Sequence, residues 1–86
     1  MLPLLVGVEG SVSTRKAIQL LSDAGVRHRY QEMLDTDSKY ADMVLAISGS
    51  VEVPQLFVGG DVYVGNDKIS RYTTGWIFIM FPFYAA

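Results

Sequence analysis

Ser11, Ser13 and Thr14 are the side chains best placed for chemistry, because they fall within four residues of one another just after an apolar run broken by Gly7 and Gly10. At the start of a helix, free backbone N–H groups and the positive end of the macrodipole stabilise an anion. A thiolate gains most from that position. A serine hydroxyl gains far less, since its pKa lies far above neutrality and a nucleophilic serine needs a nearby base and an oxyanion hole. The chain has no cysteine, which excludes a disulfide, a thiolate metal site, a cysteine nucleophile and direct dithiol exchange. Ser11 and Ser13 therefore read first as helix N-caps. His28, the only histidine, alternates with Val26 and Tyr30 and reads as a packed or edge residue rather than a base for Ser11. Asp35-Thr36-Asp37 lacks the further oxygen ligands and the glycine of a calcium loop, and Met33, Met43 and Met80 read as gap-fillers, so no metal site is expected.

These side chains need a framework, and apolar periodicity supplies one. Leu2 to Val8 is a continuous apolar run, the pattern of a strand buried on both faces. Ala17, Ile18, Leu21 and Ala24 then recur at helical spacing over Val12–Ala24, and Gly25 ends that helix. From Val26 to Leu34 the residues alternate, which predicts a half-exposed strand near a sheet edge. Asp35 to Ser38 offer capping oxygens ahead of Tyr40, Met43, Val44 and Ile47, a helix of about three turns closed by Gly49. Leu56-Phe57-Val58 and Val62-Tyr63-Val64 flank Gly59-Gly60, the signature of a hairpin. Gly65-Asn66-Asp67 caps a last helix, predicted short, that carries Ile69 and Tyr72. The order β-α-β-α-β-β-α predicts an α/β domain with a mixed four-stranded sheet.

Eighty-six residues allow only one core. Half are hydrophobic and 19% charged, a globular balance that argues against disorder. The net charge of -2, with no basic run, leaves no electrostatic footprint for nucleic acid or an anionic membrane. Met1 to Val6 has no basic residues ahead of it and reads poorly as a signal peptide, so a cytoplasmic protein is expected. The domain is expected to occupy residues 1–74, followed by an apolar tail, 75–86. The stretch Trp76 to Tyr84 is shorter than a membrane span of roughly 17 to 25 residues. It is expected to pack over the sheet or to form a contact between copies, with Pro82 stopping any regular helix.

The residues from about Leu4 to Tyr72 resemble the glutaredoxin branch of the thioredoxin-fold proteins. Ser11-Val12-Ser13-Thr14, followed by Arg15-Lys16-Ala17 and Leu20-Leu21, stands where the family carries a C-P-Y-C-type motif and its helix. Val53-Pro54-Gln55-Leu56-Phe57-Val58 is similar to the T-V-P-Q-V-F-I segment, and Val64-Gly65-Asn66-Asp67-Lys68-Ile69 to G-G-x-D-D-L, both in ungapped register. The resemblance implies a thioredoxin/glutaredoxin-like fold and, as family chemistry, glutathione-dependent thiol-disulfide exchange. It places Ser11 at the nucleophilic and Thr14 at the resolving cysteine position, where neither can exchange a disulfide.

The resemblance further implies a cis Val53–Pro54 bond that turns the Val53 backbone outward to pair with glutathione or another extended peptide. Gly65, Asn66 and Asp67 would offer a helix start to the γ-glutamyl carboxylate. The family's lysine is replaced by Val8, with Glu9 beside it, and Glu52 stands where threonine is usual, so a neutral or basic peptide suits the groove better than an anion. The expectation is a redox-silent domain without a resident cofactor that binds glutathione or an extended peptide. Two rivals stand beside it. One is a serine-type glutathione transferase-like activity in which Ser11 polarises the thiol; the other is a self-associating scaffold that uses residues 76–84.

Overall fold

The computed structural model describes residues 2–34 and 39–80, the last five of these through their backbone alone. Seven elements follow in the predicted order: β1 (Leu4–Gly7), α1 (Val12–Asp23), β2 (Arg29–Glu32), α2 (Tyr40–Ser48), β3 (Gln55–Val58), β4 (Asp61–Val64) and α3 (Asn66–Met80). The strands form one mixed sheet in the order β2-β1-β3-β4. β1 runs parallel to β2 and antiparallel to β3, and β3 pairs antiparallel with β4. The apolar β1 therefore lies inside the sheet, while the alternating β2 forms an edge.

Register explains the core. Leu5 lies opposite Leu56, and Leu56 opposite Tyr63, so one row of side chains points to a single face. Leu5 and Leu56 are fully buried there with Ala17 and Leu21 of α1 and Ile69 of α3, and Tyr63 packs against the cluster. Tyr72 of α3 meets Tyr63 at a ring-centroid distance of 5.1 Å, within the range of favourable tilted aromatic pairs. The next row, Val6, Gln55 and Val64 in register, points to the opposite face, because neighbouring strand residues alternate. Val44 of α2 is fully buried, yet Leu45 and Ile47 of the same helix stay exposed.

Some boundaries differ from the sequence pattern. β2 covers only Arg29–Glu32, because Val26 turns into the core beside Leu21 and Ala24 before the ladder begins. In α1, Ile18 faces outward. α2 spans nine residues, and its first flanking residue, Lys39, makes no side-chain cap bond. The caps predicted at Asp35–Ser38 lie outside the described residues. Only Gly59 of the hairpin pair takes a positive φ, 58°. The last helix is much longer than predicted and runs 15 residues to Met80. Gly75 does not end it, since a glycine within a helix costs only about 1 kcal/mol, and Ile69 and Thr73 anchor the helix by burial. Residues 75–80 thus continue α3 as helical backbone, while the packing expected of the Trp76–Tyr84 side chains lies outside the described residues. Among the described residues no helix is long and apolar enough to cross a membrane.

Candidate functional site

The site forms where α1 starts, beyond the end of β1. Ser11 is the N-cap of α1, with extended backbone angles and a hydroxyl that accepts the Thr14 N–H at 3.4 Å. Ser11 and Ser13 share a hydrogen bond of 2.9 Å between their hydroxyls. Ser13 in turn donates to the carbonyl of Val53 at 3.5 Å, a long and weak bond. With the Ser13 proton on Val53, the shared bond can only run from Ser11 to Ser13. Both hydroxyl protons then have acceptors within the protein, the one on Ser13 only through that long bond.

Thr14 is placed differently. It is 2% exposed, and its Oγ1 accepts the Val8 N–H at 3.1 Å. A Cβ on Gly7 would lie 2.4 Å from the Thr14 Cγ2, so glycine at position 7 is what lets the threonine lie flat on β1. Thr14 closes the β1–α1 junction from inside and presents no reactive atom to the groove.

The loop that delivers Ser11 is tied to the edge strand by Glu32. Its Oε1 accepts the Glu9 N–H at 2.7 Å and the Tyr30 hydroxyl at 2.9 Å, and its Oε2 accepts the Leu34 N–H at 3.2 Å. Partial burial pushes the Glu32 carboxyl up, but the N–H groups of Glu9, Leu34 and Met33 and the Tyr30 hydroxyl outweigh it and hold the group below the usual carboxylate range. Burial, followed by the bond to Glu32, pushes the Tyr30 phenol up to about 12.

Across the groove the atoms are mostly main chain. The Val53–Pro54 bond is cis. The Pro54 carbonyl accepts the Gly65 N–H at 2.9 Å, which fixes the end of β4 and the start of α3 beside the proline. No described group accepts the Val53 N–H. Gly65 has a φ of 85°, a left-handed angle that glycine adopts without strain. Asn66 then reaches back over the groove, its Nδ2 donating to the Ser13 carbonyl at 2.8 Å. That bond joins the starts of α1 and α3.

Ser13, Val53, Pro54, Gly65, Asn66 and Asp67 thus line one groove of about 490 Å³. Glu52 and Lys68 also border it. Ser11 reaches this group only through Ser13, and Thr14 is turned away from it. A second hollow of about 630 Å³ lies on the other side of the α1 start, between Glu9, Arg15, Ile18 and Tyr30. His28 does not join either. Its Nδ1 lies 3.1 Å from the Val26 carbonyl, and its neighbour Arg29 pairs with Leu4 at the beginning of β1, the end of the strand away from Ser11. Among the described residues no cluster of His, Cys, Asp or Glu could hold a metal ion. Glu32 and Gln55 were not singled out by the sequence pattern. The signals for Gln55 are its place in the segment that resembles T-V-P-Q-V-F-I and its polarity between Pro54 and an apolar strand; Glu32 gives none beyond its place on an alternating strand.

The sheet order, the two helices on one face and the groove at the α1 start define a thioredoxin-fold protein. The family model described as Glutaredoxin matches residues 13–63, and the chain belongs to the glutaredoxin family. The glutaredoxin grx-1 from Archaeoglobus fulgidus superposes with a TM-score of 0.74 at 20% identity, over 87% of this chain and 84% of the other. Oxidized glutaredoxin 2 from Chlamydomonas reinhardtii superposes with a TM-score of 0.71 at 18% identity, over 93% of this chain and 78% of the other. At such identities these likenesses speak for the fold. No curated protein matches the sequence.

Proposed function

We propose that this protein is a redox-silent glutaredoxin-fold module that binds glutathione or another extended peptide along Val53. Redox silence follows from composition: thiol-disulfide exchange requires a thiolate to attack a disulfide sulfur, and the chain has no cysteine. The observation that carries the binding reading is the Val53 N–H, unclaimed by any described group, on a groove whose far wall is the start of α3. An extended ligand can accept that N–H as an added strand does. Among the described residues the Val53 carbonyl is held only by the long bond from Ser13, which a ligand N–H would readily replace.

Charge favours one ligand class over the other. Glu52 and Asp67 border the groove against a single cation, Lys68, so a ligand with two carboxylates is repelled more than a neutral or basic peptide. Titration of the ¹⁵N-labelled protein with reduced glutathione, and separately with a short basic peptide of extended conformation, tests the reading. Amide shifts are expected at Val53, Gly65 and Asn66 and not at Val26 or His28, with the peptide saturating at lower concentration. Absence of shifts at these three amides with both ligands would remove the proposal.

A further inference from the structure

Gln55 is the first residue of β3, one position after Pro54, and it is fully buried. Its Nε2 donates to the carbonyls of Ser50 and Glu52, each at 2.8 Å. Turning the amide over would bring its oxygen against those two carbonyl oxygens, so the orientation is forced. The cost is visible, since Oε1 is buried without a partner. A methionine of similar volume would fill the space and remove the orphaned Oε1, at the expense of the donor that the Ser50 and Glu52 carbonyls share. What the amide adds is therefore geometry rather than packing.

That geometry concerns residues 49–54, which belong to no helix or strand. At the α2 end, Ser48 Oγ donates to the Val44 carbonyl at 2.6 Å and accepts the Ser50 N–H at 3.2 Å, while Ser50 Oγ accepts the Glu52 N–H at 3.0 Å. At the sheet end the Gly65 N–H holds the Pro54 carbonyl and Ser13 makes its long bond to Val53. The Ser50 and Glu52 carbonyls are gathered by Gln55, itself fixed between Val6 and Val64 by the strand register. We propose that Gln55 is the positioning residue of the binding edge: by gathering the Ser50 and Glu52 carbonyls it fixes the segment that presents the Val53 N–H to the groove. Its effect on binding rests on the reading that Val53 is the binding edge; its effect on the segment does not.

Two variants test this. Gln55→Met keeps the volume and removes both donors. Its thermal midpoint is expected to stay near that of the parent, while ¹⁵N order parameters at Glu52 and Val53 fall from near 0.85 to below about 0.6. Affinity for the basic peptide probe is expected to fall about tenfold. In Gln55→Glu the protonated carboxyl donates one hydrogen bond, whereas the ionised form repels both carbonyls. Order at Glu52 and Val53 is expected to be partly restored at about pH 5 and lost at about pH 9, bracketing the raised pKa of a buried glutamate. A residue that only fills space would not respond to pH in this way. Unchanged order parameters in Gln55→Met would overturn the proposal even if the protein binds the probe. A parent protein that binds no probe would instead refute the binding edge, and the order parameters would still decide the role of Gln55.

Discussion

On one wall of the groove the start of α1 offers a side-chain hydroxyl, that of Ser13, with Ser11 hydrogen-bonded behind it; on the other, Val53, Gly65 and the first turn of α3 offer main-chain groups. Family chemistry in the first wall depends on a single atom per residue, and oxygen in place of sulfur ends disulfide exchange there without disturbing the helix start. Ser11 still caps α1. The second wall depends on backbone direction, which many side chains can support: the Val53–Pro54 bond is cis and Gly65 takes a left-handed angle, with Val64 where the resemblance has a glycine. Exchange chemistry depends on single atoms at two positions, whereas the proposed binding edge depends on the course of the backbone.

The largest test of that contrast restores the missing atom. Ser11→Cys is expected to place a thiol against the free N–H groups of α1, with its pKa lowered from about 8.5 to below roughly 7.5. With reduced glutathione supplied as the reductant, the variant thiolate should take the glutathionyl group from a mixed disulfide, releasing the substrate thiol. It should then be regenerated by glutathione with release of glutathione disulfide, whereas the parent should show no turnover above the uncatalysed rate. A thiol that titrates at the free value would mean that the hydroxyl wall has lost its electrostatics as well as its sulfur.

A second test addresses Thr14, which lies behind the first wall, buried against β1. Gly7→Ala should drive a methyl into the buried Thr14 and destabilise the protein by about 3 kcal/mol in denaturant titration. Adding Thr14→Ala should recover much of that loss, although it leaves the Val8 N–H without its acceptor at a cost of about 1 kcal/mol. Simple additivity of the two changes would show that Thr14 does not occupy the space the glycine leaves.

The smallest effect is expected from acid. Glu32 is ionised more readily in the folded protein than a free glutamate, whose pKa is about 4.5, so its contribution is complete above that pH and fades as the pH falls through the lowered folded value. The Glu9 N–H, which loses its carboxylate partner, should shift in an NMR titration before Val53 or Gly65 does. Simultaneous movement of all three would indicate global unfolding rather than release of the hydroxyl wall. At the alkaline end the sign reverses for Tyr30: its raised folded pKa favours the neutral form, and stability falls as the pH rises from 10.0 to about 12.

Much of this site was legible before folding. Val53, Pro54, Gly65, Asn66 and Asp67 were read as one ligand edge, and all five line a single groove. The reading of Ser11 as a cap also agrees with the structure, because N-capping is a local rule of residue type and position. Glu32 and Gln55 escaped notice because their partners are N–H and carbonyl groups of distant or irregular backbone, whose positions no periodicity reports. The length of α3 was underestimated for a related reason. Gly75 lowers helix propensity only slightly, and burial of Ile69 and Thr73 belongs to tertiary packing rather than to local preference.

The amino-acid sequence alone determined what cannot happen here, since a chain without sulfur in cysteine side chains cannot exchange a disulfide, and it determined the succession of strands and helices through apolar spacing and glycine positions. Only the tertiary structure decided that Ser13, Val53 and Asn66, some 40 and 53 residues from Ser13 in the chain, meet across one groove while Thr14 turns inward. Element order follows from local sterics and from which residues avoid water. Hydrogen bonds between distant segments require placement to within a few tenths of an ångström, and that placement exists only once the helices have packed on the sheet.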